Sequence, residues 1–182
     1  MDKTTFVGCK GGVGTTTVAV LHALSVAETG RSVRLTATGA AGIDDLAAIL
    51  AVPTPAPGEV IEIAAGLGLG DEADPSAYTV VDGGTDTFSD HSGRVYLVVR
   101  NDYLCLRRAL LAPRTTVGVV LVTEAGRALG RCDVADVIGW PIVAEVAVSA
   151  SIARCIDAGL LVSTRRPRLD IAEPSRSHAG AE

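Results

Sequence analysis

The chain has 182 residues, 48% of them hydrophobic and 20% charged, with a formal net charge of −5. That length and apolar content suit one domain with a core of its own and exclude intrinsic disorder. A membrane span is excluded too, because apolar runs such as Val117–Val122 fall far short of the roughly 20 residues that one needs.

Continuous β-branched runs alternate with helical patterns, which predicts a parallel sheet covered on both faces. Thr4–Cys9 is the first strand. A glycine-rich loop follows, then a helix from about Thr16 to Thr29 with Gly30 past its end. Ser32–Ala37 reads as the second strand and Ile43–Ala51 as a short helix. Pro53, Pro55 and Pro57 then forbid regular structure until about Glu59. Val60–Ala64 reads as a strand whose end is blurred by Gly66, Gly68 and Gly70. Tyr78–Asp82 is a strand closed by Gly83-Gly84, and Arg94–Arg100 is the next, followed by a helix over Asp102–Leu111 that Pro113 stops. Val117–Val122 is the most apolar strand. A short helix near Val134–Ile138, a strand at Ile142–Glu145 and a helix at Ser149–Ala158 complete the pattern. The expected class is α/β, a doubly wound and mostly parallel sheet with helices on both faces and Thr4–Cys9 central. One domain is expected over residues 1–164, with a flexible C-terminal tail over 165–182.

No basic-then-apolar leader precedes the first strand, so the reading is a cytoplasmic protein without membrane insertion. The cysteines, Cys9, Cys105, Cys132 and Cys155, form no CxxC pair, which argues against zinc and iron–sulfur sites. Their plain reading is buried free thiols in a reducing compartment. Aromatic residues are too scarce for a base-stacking platform, and the acidic balance argues against a dedicated nucleic-acid binder. Of 16 basic residues only Lys3 and Lys10 are lysine.

Cys9-Lys10-Gly11-Gly12-Val13-Gly14-Thr15-Thr16-Thr17 sits between a strand and a helix. Glycines there let successive backbone N–H groups turn inward beside a helix start, an arrangement suited to phosphate. It is not the dinucleotide fingerprint. A standard phosphate loop reads G-x-x-x-x-G-K-S/T, whereas here Cys9 stands at the first glycine and Thr15 at the lysine. Cys9 is either a redox-sensitive thiol at a helix entrance or only a small loop residue.

Lys10-Gly11-Gly12-Val13-Gly14 resembles the deviant Walker A motif of ParA/MinD-type ATPases, K-G-G-x-G-K-S/T. The small residue at the second lysine resembles the atypical TadZ/CpaE branch, which helps to place Flp pilus machinery. Tyr78–Asp82 resembles the Walker B strand, Arg94–Val99 with Asp102 and Leu106–Ala109 the next strand and helix, and Ser151–Gly159 a late helix of the family. Ile43–Leu50 is similar to a segment of the pilus branch. The resemblance implies a nucleotide site for ATP and Mg²⁺, with Gly11, Gly12, Val13, Gly14, Thr15, Thr16 and Thr17 around the phosphates. Thr16 would ligate Mg²⁺, and Thr17 would lie beside the α-phosphate. Asp82 would support the metal through water, and Lys10 would reach a phosphate across a homodimer. Each has a plainer alternative. Glycines make turns, Thr16 serves as a helix cap, Lys10 is a solvated loop charge, and Asp82 closes an Asx turn.

The chain also departs from the family. The loop lysine is missing at Thr15, and the second strand ends Leu35-Thr36-Ala37-Thr38 where active relatives carry an aspartate pair. Asp44 and Asp45 are displaced by several residues and do not simply replace it. The strand Val117–Val122 closes on Thr123 instead of a base-reading asparagine, and the stretch before Asp82 is short for the family. Arg107, Arg108 and Arg114, with Arg165, Arg166 and Arg168, form two basic clusters, which are either solvated faces or contacts to nucleic-acid phosphates. His22, His91 and His178 sit in unrelated contexts, with His22 expected to be only partly buried. The expected function is a degenerate ParA/MinD-like positioning or scaffold factor with an unidentified protein partner and weak or no ATP hydrolysis. The alternatives are an active ATP-dependent dimerisation switch and a DNA-partition protein.

Overall fold

Thr4 to Phe6 pair in parallel with neighbours on both sides, so the first strand lies inside the sheet. The structure is a computed structural model that describes residues 2–38, 42–71, 75–85, 92–112, 115–164, 166–169 and 171. The strands are β1 (Lys3–Gly8), β2 (Val33–Ala37), β3 (Val60–Ala64), β4 (Leu67–Gly70), β5 (Tyr78–Asp82), β6 (Arg94–Arg100), β7 (Thr116–Thr123) and β8 (Ile142–Ala147). The helices are α1 (Thr15–Ala27), α2 (Ile43–Leu50), α3 (Tyr103–Ala109), α4 (Arg131–Ile138) and α5 (Ala150–Asp157).

The sheet order is β3-β4-β2-β5-β1-β6-β7-β8. Every neighbouring pair is parallel except β3 with β4. Every residue of β5 is buried, and so are the last five of β1 and the middle five of β6. Such strands lack the alternation of a half-exposed sheet because both of their faces are covered. Phe6, Leu21, Leu35, Leu97 and Leu121 are fully enclosed at the centre. Among the described residues no helix is long and apolar enough to cross a membrane.

Three readings are corrected, those of the glycine-rich segment, the cysteines and His22. The segment blurred by glycines is a strand, β4, which forms a hairpin with β3. A Cβ at Gly68 would stand 2.8 Å from Val60 Cγ1, and one at Gly70 2.6 Å from the Glu59 carbonyl, so these glycines mark close approach and not a loop. The cysteines are not all buried free thiols. Cys9 and Cys105, 96 residues apart, are joined in a disulfide, while Cys132 is exposed and Cys155 half-buried.

His22 is buried, with Nε2 3.1 Å from the Tyr78 hydroxyl and Nδ1 3.3 Å from the Leu169 carbonyl. Within the expected tail, residues 166–169 are docked on α1. Leu169 N–H donates to Ser25 Oγ at 2.9 Å, and the Arg166 guanidinium donates to Glu28 at 2.7 Å. His91, Arg114, Arg165, His178 and residues 172–182 lie outside the described residues.

Candidate functional site

The loop leaves the sheet between the carboxyl ends of β5 and β6. Gly8 N–H donates to the Gly84 carbonyl at 2.7 Å and Cys9 N–H to the Val98 carbonyl at 3.2 Å. A crevice at the strand ends is where open α/β sheets take ligands. Gly12 (φ 75°) and Gly14 (φ 97°) occupy the left-handed region that a side chain disfavours. A Cβ at Gly11, Gly12 or Gly14 would meet nothing within 4 Å, so the loop faces open space. No side chain caps α1, and its first bond runs from Val18 N–H to the Gly14 carbonyl. The N–H groups of the first turn, Thr15 to Thr17, have no helical partner and remain for an anion.

A cavity of about 260 Å³ opens on this loop, with Lys10, Gly12, Gly14, Thr15, Thr16, Asp45, Gly84 and Thr85 on its walls. Thr15 is buried, and its Oγ1 would stand 2.2 Å from a Cβ on Gly8, so the hydroxyl packs back over β1. Lys10 is not a solvated loop charge: its Nζ lies 3.3 Å from Asp102 Oδ2 of the same chain. Burial pushes the Asp102 carboxyl up, but the Cys105 N–H and Lys10 outweigh it and hold it below the usual range.

Asp82 is fully buried at the end of β5. Its Oδ1 accepts the Gly84 N–H at 3.0 Å, so the Asx turn is present, while Oδ2 has no hydrogen-bond partner. Burial raises its pKa; bonds from Thr16 and Gly84 pull it down, and the negative charge of Asp45 pushes it up again. An orphaned carboxylate oxygen next to a threonine hydroxyl is a hard-oxygen donor set, and it fits a magnesium ion. Asp45 comes to this cavity from the first turn of α2, a placement that the count of residues after β2 did not convey.

A second cavity, of about 150 Å³ and mostly apolar, lies across the loop. Gly14, Thr17 and Val18 form one wall, and Val122, Val146 to Ser149, Ile152 and Ile156 form the other. The structure therefore brings Lys10, Gly12, Gly14, Thr15 and Thr16 together on the first cavity, with Asp82 near Thr16, and turns Thr17 to the second. Asn101, the single asparagine of the sequence, is buried and committed elsewhere: it bonds the backbone of Glu124 and the Leu129 carbonyl.

The basic clusters do not behave as a pair. Arg107 and Arg108 are exposed on α3. Arg166 is spent on Glu28 and on the carbonyls of Leu161, Val162 and Thr164, and Arg168 lies 3.9 Å from Glu28.

No known family model matches the chain, and no curated protein matches it in sequence. Its fold is nevertheless shared with solved structures. A ParA family ATPase from Chlorobium tepidum TLS has a TM-score of 0.73 at 18% identity, over 88% of this chain and 90% of that one. A chain of the MinC:MinD cell division protein complex of Aquifex aeolicus has a TM-score of 0.69 at 15% identity, over 87% of this chain and 86% of that one. The septum site-determining protein MinD of Pyrococcus horikoshii OT3, complexed with Mg-ADP, has a TM-score of 0.68 at 16% identity, over 87% and 86%. At such identities the likeness is one of architecture, and the architecture of this chain is the ParA/MinD fold.

Proposed function

We propose that the protein is a degenerate ParA/MinD-like nucleotide-binding factor that positions or scaffolds a partner protein and hydrolyses ATP weakly or not at all. The observation that carries this reading is the contrast within one loop. The backbone cradle is open and unfilled at Gly11, Gly12 and Gly14, while Thr15 is folded back onto Gly8 where a loop lysine would offset phosphate charge. Thr16 and Asp82 would hold magnesium, Asp82 through water; the ion neutralises phosphate charge when bound. The Mg-ADP complex of a fold relative supports nucleotide as the ligand class. The small residue at Thr15 favours the TadZ/CpaE-like branch, and the MinC:MinD complex supports a protein partner.

Calorimetry with ATP, with and without Mg²⁺, tests the reading, together with a turnover assay on wild type and Lys10→Ala. Magnesium-dependent binding with turnover at background is expected. Turnover that depends on Lys10 would replace it with the second reading, an ATP-dependent dimerisation switch in which Lys10 acts on a partner subunit's nucleotide. One observation favours that second reading: Asp45 adds a carboxylate to the phosphate cavity. In either case a homodimer with facing loops is the expected assembly. The DNA-partition reading keeps only Arg107 and Arg108 among the described residues, because Arg166 and Arg168 are turned to Glu28. Salt-sensitive binding to duplex DNA would revive it.

A further inference from the structure

Two consecutive loop residues grip two residues one helical turn apart. Cys9 is bonded to Cys105, and Lys10 is paired with Asp102 at 3.3 Å. Asp102 is also the N-cap of α3, its Oδ1 accepting the Cys105 N–H at 2.9 Å. The disulfide and the ion pair therefore share one short scaffold, residues 102–105. The Lys10 and Asp102 side chains are 21% and 15% exposed, and an ion pair with that much access to water holds only weakly by itself. The disulfide changes this, because it fixes the backbone beside Lys10 against the start of α3 and keeps Asp102 within reach.

We propose that Cys9 and Cys105 form a redox clamp on the phosphate loop, which holds Lys10 on Asp102 when oxidised and releases it when reduced. Formation removes two protons and two electrons from the thiols. The electrons pass to a low-molecular-weight disulfide, RSSR, which leaves as two RSH. In the reverse direction a thiolate attacks Cys9 Sγ, which is 7% exposed where Cys105 is fully buried. The Cys9–Cys105 bond breaks, and Cys105 departs as thiolate, its sulfur already accepting the Arg100 N–H at 3.1 Å. A second thiol then resolves the mixed disulfide on Cys9. Release matters to the site because Lys10 also lines the phosphate cavity. The effect on ligand binding rests on the phosphate reading of the loop; the clamp does not.

The chain has only one other lysine, Lys3, at the opposite end of β1, which makes Lys10 readable against an internal reference. The 182-residue protein is equilibrated with oxidised or reduced dithiothreitol and acetylated with N-hydroxysuccinimidyl acetate, and the two lysine peptides are compared by mass spectrometry. Thiol titration of the unfolded chain should count two thiols after oxidation, Cys132 and Cys155, and four after reduction. Lys10 should label at least about threefold faster relative to Lys3 in the reduced form. Cys105→Ser should label as the reduced form does in both buffers; should it not fold, the two states of wild type decide alone. Four thiols after oxidation, or equal Lys10 labelling in the two states, overturns the proposal. Inorganic phosphate titrated into both forms adds a separate test: no binding to either refutes the phosphate reading and leaves the labelling result standing.

Discussion

Asp82 Oδ1 accepts the N–H of Gly84 at 3.0 Å, while Oδ2 of the same buried carboxylate accepts nothing. A carboxylate satisfied on one oxygen is expensive to ionise, and burial accordingly raises its pKa above the ordinary 3.8. Because the folded pKa is the higher one, the native state binds more protons across the window between the two values. In metal-free protein the contribution of Asp82 to stability is therefore greatest below the unfolded pKa and declines as pH rises through the folded one. Urea unfolding across this window should show that decline in wild type and lose it in Asp82→Asn. An unchanged slope in the variant would assign the decline to other carboxyls.

Asp102 runs the opposite way. Its folded pKa is depressed, so the stability it contributes is present above the unfolded value and disappears as pH falls through the folded one. Asp102→Ala should cost about 1–2 kcal/mol at neutral pH, combining the lost N-cap with the lost ion pair. Lys10→Ala removes the pair alone and should cost less than about 1 kcal/mol. Chemical denaturation of both variants and their double mutant separates the terms; a larger effect from Lys10 would reverse the assignment.

Much of the frame is legible in the sequence because buried parallel strands are written as unbroken β-branched runs. Tyr78–Asp82 and Arg94–Arg100 come out with the same ends in sequence and structure. β4 escapes because Leu67-Gly-Leu-Gly carries glycine for proximity to β3, and glycine reads as a turn. In the site, the loop is legible because φ above zero at Gly12 and Gly14 demands glycine. The partners that define its electrostatics are not, since Asp102, Cys105 and Asp45 arrive through the fold from 29 to 96 positions away. Spacing along the chain carries no information about them.

The empty cationic position predicts a gain of function in binding. Thr15→Lys places a charge on the cavity wall that Thr15 now shares with Gly12 and Thr16. Mg-ATP affinity should tighten by about 1–3 kcal/mol, the scale of a charge-assisted hydrogen bond. Gly8→Ala is the contrasting variant. Its methyl would collide with Thr15 Oγ1 at 2.2 Å and Val13 Cγ2 at 2.8 Å, displacing the loop, so ATP binding should fall. Calorimetry on both reads the two signs; no change with Thr15→Lys would mean that the loop does not face a phosphate.

Arg166 and Leu169 are bonded to Glu28 and Ser25, and losing those contacts has a measurable cost. Leu169 is 4% exposed, and both of its backbone polar groups are held, N–H by Ser25 Oγ and carbonyl by His22 Nδ1. Removing its side chain empties a buried site, so Leu169→Ala should destabilise by about 2–4 kcal/mol. Arg166→Ala loses the guanidinium bonds to Glu28 and to three carbonyls and should cost about 1–2 kcal/mol. A chain ending at Thr164 loses both at once and also uncovers Ser25 and His22 on α1, so it should be less stable than either variant. Urea unfolding of the three proteins beside wild type tests the order. If the truncated chain unfolds at the wild-type midpoint, the segment is a passive tail, and the buried polar contacts of His22 and Ser25 are made equally well by water.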